Sequence, residues 1–270
     1  MALLTIVTRK YWNIAWGWTI LNTLKFNVGF ATDIGRKRQK NQDNGGAFPE
    51  LGLFVVADGM GGHRGGEVAS SLVLEVLPEF VKKAEKKKKW DPRQVISDGI
   101  RAANRAIYQK AQQEPDLQGM GTTTVSLLFR DGKLTVGHVG DSRCYFFRPD
   151  AIWQVTRDHS LVQEKLRAGL ITRAQVATDL MKNVITRSVG FEEDVNVEIY
   201  EMPCGPGDVF LLCSDGLSGL VQNPQILSTV HQRFFDGGDL QGAVTALIAA
   251  ANENGGDDNV TVLMAQVAES

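Results

Sequence analysis

The sequence predicts an α+β fold in which antiparallel β-sheet carries helices layered outside it. Three observations lead there. Short apolar runs rich in β-branched residues recur along the chain, bounded by Gly, Pro and Asp. Between and after them lie segments with apolar residues at helical spacing, as at Val68, Leu72, Val76 and Phe80. Asp131-Gly132 separates two apolar runs and predicts a tight hairpin. Hairpin-linked strands are antiparallel neighbours, whereas parallel neighbours need long crossovers.

Taken in order, residues 26–35, FNVGFATDIG, and 51–58, LGLFVVAD, read as strands. Residues 67–83, EVASSLVLEVLPEFVKK, read as a helix with Pro78 near its end, because proline brings no amide to the helical ladder. A second helix is expected over 93–113. Residues 122–148 hold two or three strands joined at the Asp131-Gly132 turn. VFLLCSDGL and NVTVLMAQV supply later strands, and helices are expected near 160–168, 223–233 and 240–252. No internal repeat, Pro- or Ser-rich linker or low-complexity tract interrupts the chain after Lys25, so residues 25–270 are expected to form one domain.

Composition sets broad bounds. A chain of 270 residues with 43% hydrophobic content can bury a large core. A net charge of -2 argues against bulk electrostatic binding to nucleic acid, and the basic run from Lys82 to Lys89 reads as a solvated helix end. Cys144, Cys204 and Cys213 have neither the even count nor the spacing of a disulfide framework or zinc knuckle, which fits a reducing cytoplasm. Residues 11–24 are uncharged and carry three tryptophans, but 14 residues fall short of the roughly 18–20 needed to span a bilayer. Residues 1–24 are therefore read as an N-terminal extension, with peripheral membrane association through it as the second reading and a cleaved signal as the third.

The carboxylates carry the chemistry. Asp58 ends LFVVAD, Asp141 ends LTVGHVGD, Asp215 ends VFLLCSD, and Asp258 precedes NVTVLMAQV. One aspartate at a strand end is ordinarily a turn residue. Four in the same context suggest a cluster at one sheet edge, which needs a cation to offset the mutual repulsion. Hard oxygen ligands favour Mg²⁺ or Mn²⁺ over Zn²⁺ or Cu²⁺. The four histidines, His63, His138, His159 and His231, lack the H-x-x-x-H or H-E-x-x-H spacing of a zinc site.

A series of ordered motifs then marks a resemblance: RKRQKNQD (36–43), VADGMGGHRGGE (56–67), GMGTTT (119–124), VGDSR (139–143), DHS (158–160), NVITRSVG (183–190), SDGL (214–217) and DDNVT (257–261). Over about residues 25–268 the chain resembles the metal-dependent protein phosphatase family, also called protein phosphatase 2C, in its bacterial form. The resemblance implies a four-layer αββα sandwich of two antiparallel β-sheets flanked by helices, with the metal cluster at one end. It implies hydrolysis of phosphoserine and phosphothreonine in proteins, opposing a cognate Ser/Thr kinase; the enzyme is expected to be cytoplasmic and a monomer. Position by position, it implies that Asp58 bridges two Mn²⁺ or Mg²⁺ ions, that the Gly59 carbonyl binds one of them, and that Asp215 and Asp258 bind the other. Asp141 with Asp215 matches the ligands of a third, weaker metal, Asp43 reaches the metals through water, and Arg38 holds the substrate phosphate, for which a planar guanidinium is well suited.

One position departs from many eukaryotic members, whose Asp-Gly-His loop supplies a proposed general acid; here the residue is Met60. His63 and a metal-bound water are the remaining proton donors. Residues 159–185 correspond to the family's flap, where Lys165, Arg167, Arg173 and Lys182 either meet acidic substrate surfaces or are ordinary solvated charges. Two other readings are weaker. A phosphoprotein-binding pseudophosphatase predicts a lost metal ligand, yet all four aspartates are present. A nucleotide-cradling loop at DGMGGHRGGE lacks the G-x-x-x-x-G-K-[ST] pattern.

Overall fold

The structure, a computed structural model, describes residues 24–61, 64–176 and 178–268. Apart from Leu24, the expected N-terminal extension lies outside the described residues, as does His63. The strands are β1 (Phe26–Asp33), β2 (Asp43–Phe48), β3 (Leu53–Met60), β4 (Gly121–Thr122), β5 (Thr124–Arg130), β6 (Lys133–Val139), β7 (Arg143–Arg148), β8 (Ala151–Gln154), β9 (Glu198–Pro203), β10 (Val209–Cys213) and β11 (Val260–Val267). The helices are α1 (Gly65–Glu85), α2 (Pro92–Gln113), α3 (Leu161–Arg167), α4 (Arg173–Val176), α5 (Asp215–Ser218), α6 (Asn223–Val230) and α7 (Leu240–Glu253).

Two antiparallel sheets form. One has the order β1-β11-β10-β7-β8, the other β2-β3-β5-β6-β9 with β4 paired to β3. The layering follows from side chains alternating across each strand. In β3, Phe54 and Val56 face the other sheet, meeting Phe210, Leu212 and Leu263, while Leu53, Val55 and Ala57 pack beneath α1 and α2. In β10, Phe210 and Leu212 point inward, whereas Val209, Leu211 and Cys213 face Val244, Leu247 and Ala251 of α7. Both faces of each central strand are covered. The result is the four-layer αββα sandwich.

The expected hairpin is present, with Asp131 and Gly132 at φ 50° and 70°, the left-handed pair that a type I′ turn demands. Some expectations are corrected. Helix α1 contains the expected 67–83 with two more residues at each end, and it carries Pro78 inside it, where Leu77 and Val81 are fully buried against the sheet. The helix expected over 223–233 divides into α6 and a π-helical turn over His231–Phe235. Asp58 does not end its strand, since β3 runs on to Met60, and Asp141 lies two residues beyond β6. Among the described residues no helix is long and apolar enough to cross a membrane.

Candidate metal centre

The site is built at one end of both sheets. Asp43 opens β2 and lies directly across from Asp58 of β3 in the antiparallel register. Like charges placed opposite each other destabilise a strand pair unless something offsets them. From the other sheet, Asp215 follows β10 as the first residue of α5, and Asp258 lies two residues before β11, the strand paired with β10. Asp141 arrives from the turn after β6. Asp58, Asp141, Asp215 and Asp258 line one cleft of about 360 Å³, together with Gly59, Arg38, Thr123, Asn183 and Asn259.

Ordinary polar residues hold these carboxylates in place. The Asp58 amide donates to Thr123 Oγ1 at 2.9 Å, and its carbonyl accepts from the Thr123 amide at 2.8 Å and the Thr122 hydroxyl at 2.9 Å. Thr123 Oγ1 also lies 2.7 Å from Ser142 Oγ, next to Asp141, so Asp58 and Asp141 share a tether. Asn259 Nδ2 donates to the carbonyls of Ile34 and Lys40 at 2.9 Å each, and its Oδ1 accepts from the Gln42 amide at 2.8 Å. That stitching holds the 34–42 loop beside Asp258, where Arg38 Nη2 donates to Asp258 Oδ2 at 2.6 Å. Gly59 fits only as glycine. A Cβ there would sit 2.1 Å from the Gly66 carbonyl oxygen and 2.5 Å from that of Gln42.

The electrostatics are those of crowded carboxylates. Burial first, then Asp43, Asp215, Asp141 and Asp258, push Asp58 well above the usual range. Burial and Asp215 push Asp141 up to about 8. Burial and Asp258 raise Asp215, and burial raises Asp43 to about 6 against the pull of the Ser214 hydroxyl. Asp43 Oδ1 and Asp215 Oδ1 are buried without a hydrogen-bond partner. Orphaned carboxylate oxygens in an all-oxygen cluster fit a hard divalent cation. The thiols of Cys144 and Cys213 are buried and pushed up, so neither offers a nucleophile.

The family model described as protein phosphatase 2C matches residues 35–252. This chain belongs to the protein phosphatase 2C family. It is 37% identical over 246 residues to the serine/threonine phosphatase stp of Listeria innocua, covering 88% of this chain and 94% of that one. A crystal structure of the Mycobacterium tuberculosis serine/threonine phosphatase PstP/Ppp superimposes with a TM-score of 0.83 at 34% identity, covering 90% of this chain and 99% of the other. The catalytic domain of a PstP in complex with two manganese ions superimposes with a TM-score of 0.80 at the same 34% identity and the same coverage. The fold is thus the family's fold.

Of the residues singled out in the sequence, Arg38, Asp43, Asp58, Gly59, Asp141, Asp215 and Asp258 are brought together here; His63 falls outside the described residues. Two motif residues are structural. Arg143 of VGDSR pairs with Asp158 of DHS through both carboxylate oxygens, at 3.0 Å and 2.7 Å. The flap is pinned at its base, where Leu161 donates to the Val184 carbonyl and Thr186 to that of His159. Of its cations, Lys165 is committed to Asp179 at 3.0 Å, while Arg173 and Lys182 line a cleft that reaches Asp141 and Asp215. Thr123, Ser142, Ser214 and Asn259 lie within the motifs GMGTTT, VGDSR, SDGL and DDNVT, but the sequence assigned none of them a role of its own.

A second group, His138, His159 and Glu198, brings ligand-type atoms within 4.8 Å of one another. Its hydrogen bonds argue against a metal. His159 Nδ1 accepts the Gly140 amide at 3.0 Å, which assigns the proton to Nε2, and Nε2 faces Glu198 Oε1 at 3.2 Å. With Nδ1 occupied and Nε2 protonated, the ring has no lone pair to give.

Proposed function

We propose that this chain is a metal-dependent protein serine/threonine phosphatase, with residues 25–270 as its catalytic domain. The observation that carries the reading is the convergence of Asp58, Asp141, Asp215 and Asp258 from both sheets on one cleft with Arg38 at its edge. The relatives named serine/threonine phosphatase support phosphoserine and phosphothreonine as the substrate groups. The pseudophosphatase alternative has no missing ligand to rest on.

Asp58, the Gly59 carbonyl, Asp215 and Asp258 would hold two Mn²⁺ or Mg²⁺ ions, Asp141 with Asp215 a third, and Asp43 would reach them through water. Bound there, such ions supply positive charge that polarises a phosphoryl group and acidifies water. Arg38 binds the phosphate. Its guanidinium is tethered by Asp258 through Nη2, which orients the remaining N–H groups toward phosphate oxygens. The side chain of Met60 has no proton to give, and among the described residues no histidine lines the cleft, so the leaving alkoxide takes its proton from water or from His63. The reading extends to a monomer acting in the cytoplasm on the products of a cognate Ser/Thr kinase, which the three free cysteines support.

The test is hydrolysis of p-nitrophenyl phosphate and of a phosphothreonine peptide with Mn²⁺, with EDTA, and by Asp58→Asn. Activity is expected in the first condition alone. Equal rates in all three would overturn the reading.

A further inference from the structure

A second cleft, of about 450 Å³, opens beside the aspartate cleft, and Met60 and Ile185 line both. Its far wall comes from the segment after the flap and carries Phe191, Glu192 and Asp194. Phe191 is 61% exposed, which is unusual for a large aromatic residue. The backbone behind it is fixed. Asn104 of α2 donates to the carbonyls of Glu192 and Glu193 at 3.0 Å each and accepts the Gly190 amide at 2.6 Å, while Arg101 Nε donates to the Val195 carbonyl at 3.4 Å. The wall is therefore preformed and presents its side chains outward.

Its charge is uncompensated. The cation of the lining, Arg187, faces Glu198 instead, with Nη1 3.6 Å from Glu198 Oε1. Glu192 and Asp194 form no ion pair among the described residues. An aromatic face flanked by two free carboxylates accepts a long side chain with an apolar stem and a cationic tip, which is arginine or lysine. Continuity through Met60 and Ile185 decides the occupant. A polypeptide whose phosphorylated residue enters the aspartate cleft carries its neighbours into the second one, at about 3.3 Å of reach per residue.

We infer that the cleft walled by Met60, Ile185, Phe191, Glu192 and Asp194 seats residues flanking the phosphorylated side chain of the protein substrate and selects a basic residue there. This rests on the phosphatase reading above. An acidic residue at the same place meets two like charges and is disfavoured.

The experiment uses the full chain with Mn²⁺ and a set of phosphothreonine peptides of equal length, in which Arg or Glu is placed at each of four positions on either side. The readout is the ratio of kcat/KM for Arg over Glu at each position. At one or two positions the ratio is expected to reach about fivefold, the scale of one or two exposed ion pairs. It is expected to collapse toward unity in Glu192→Gln/Asp194→Asn and to invert in Glu192→Lys, both exposed changes. Turnover of p-nitrophenyl phosphate and of all peptides with no preference would overturn this inference and leave the phosphatase reading standing. A preference that survives both variants would overturn it as well. A preference that fades as enzyme concentration rises would assign the cleft to a second copy of the chain instead. Hydrolysis of neither the peptides nor p-nitrophenyl phosphate would remove both readings.

Discussion

Ser214 Oγ donates to Asp43 Oδ2 at 2.7 Å, and the same hydroxyl accepts the Thr261 amide at 3.0 Å. Asp43 belongs to one sheet, Ser214 and Thr261 to the other, so a single buried hydroxyl joins the two sheets at the floor of the metal centre. Ser214→Ala leaves a buried amide unpaired and strips Asp43 of the foremost of the donors that hold its carboxyl down. The expected loss is about 1–3 kcal/mol of unfolding free energy, the cost of an unsatisfied buried group, measured by urea denaturation. Calorimetric Mn²⁺ affinity should fall in the same variant. Wild-type values for both would contradict the bridging role.

Stability of the metal-free protein should depend on pH in a defined direction. Asp141 is held near 8 and Asp43 near 6, both chiefly by burial, with Asp58 and Asp215 also raised. A carboxyl raised on folding stabilises the fold fully below its unfolded value, about 4, and loses that contribution as pH climbs through the folded value. His138 runs the other way. Burial lowers it to about 4, so its contribution is full above about 6.5 and is lost on acidification. From about pH 7.5 to 8.5 His138 is neutral in both states, as is His159, which burial also lowers, and Tm in EDTA should fall as the carboxylates ionise. Mn²⁺ binds the ionised form, so the Tm difference between Mn²⁺ and EDTA should widen over the same interval. A difference that stays flat from about pH 7.5 to 8.5 would count against the crowded-carboxylate account.

What the sequence made legible depended on burial. Central strands covered on both faces read as unbroken apolar runs, as in LFVVA of β3 and VFLLC of β10. The edge strand β1 was read, but β2, β8 and β9 were missed, because β8 has only four residues and the glutamates and proline of β9 dilute its apolar signal. In β2 the signal is diluted by Gly45 and Gly46, where a Cβ would meet the Phe30 ring at 2.5 Å and Leu74 at 2.8 Å. The aspartates were legible through a repeated strand-end context. Ser214 stood in the SDGL motif, but its bridging role was not legible, since its partner Asp43 lies 171 residues away and only the closed sandwich brings them together.

Gly59→Ala should damage the fold before it damages chemistry. The new methyl would meet the Gly66 carbonyl oxygen at 2.1 Å, a backbone contact between β3 and α1 that no rotamer change can relieve. Overpacking of this kind costs about 1–3 kcal/mol, occasionally more. Thermal denaturation in EDTA checks it, because without metal the methyl can act only through packing. An unchanged Tm would show that α1 shifts freely away from β3.

Arg38→Ala should act mainly on KM. Arg38 is half-exposed and tied to Asp258 at 2.6 Å, so its removal takes away ground-state phosphate binding while leaving the aspartate cleft assembled. Arg38→Lys should restore little, since a lysine cannot hold Asp258 and present a second parallel donor at once. Phosphopeptide kinetics settle the point: a fall in kcat with KM unchanged would reject the binding role.

Asn104 ties the wall of the second cleft to α2, and its removal separates fold from peptide selection. The side chain is buried and makes three hydrogen bonds to backbone, two donated to the carbonyls of Glu192 and Glu193 and one accepted from Gly190. Asn104→Ala leaves those groups facing a small cavity, a loss of about 1–3 kcal/mol for unsatisfied buried partners. The segment 190–195 then loses its anchor, and amide exchange there should accelerate while exchange in β3 and β10 stays slow. Because the aspartates lie on other elements, kcat for p-nitrophenyl phosphate should change less than kcat/KM for a peptide with a flanking arginine. If both fall together, Asn104 supports the catalytic cleft itself, and the preformed wall plays no separate part in selecting the substrate.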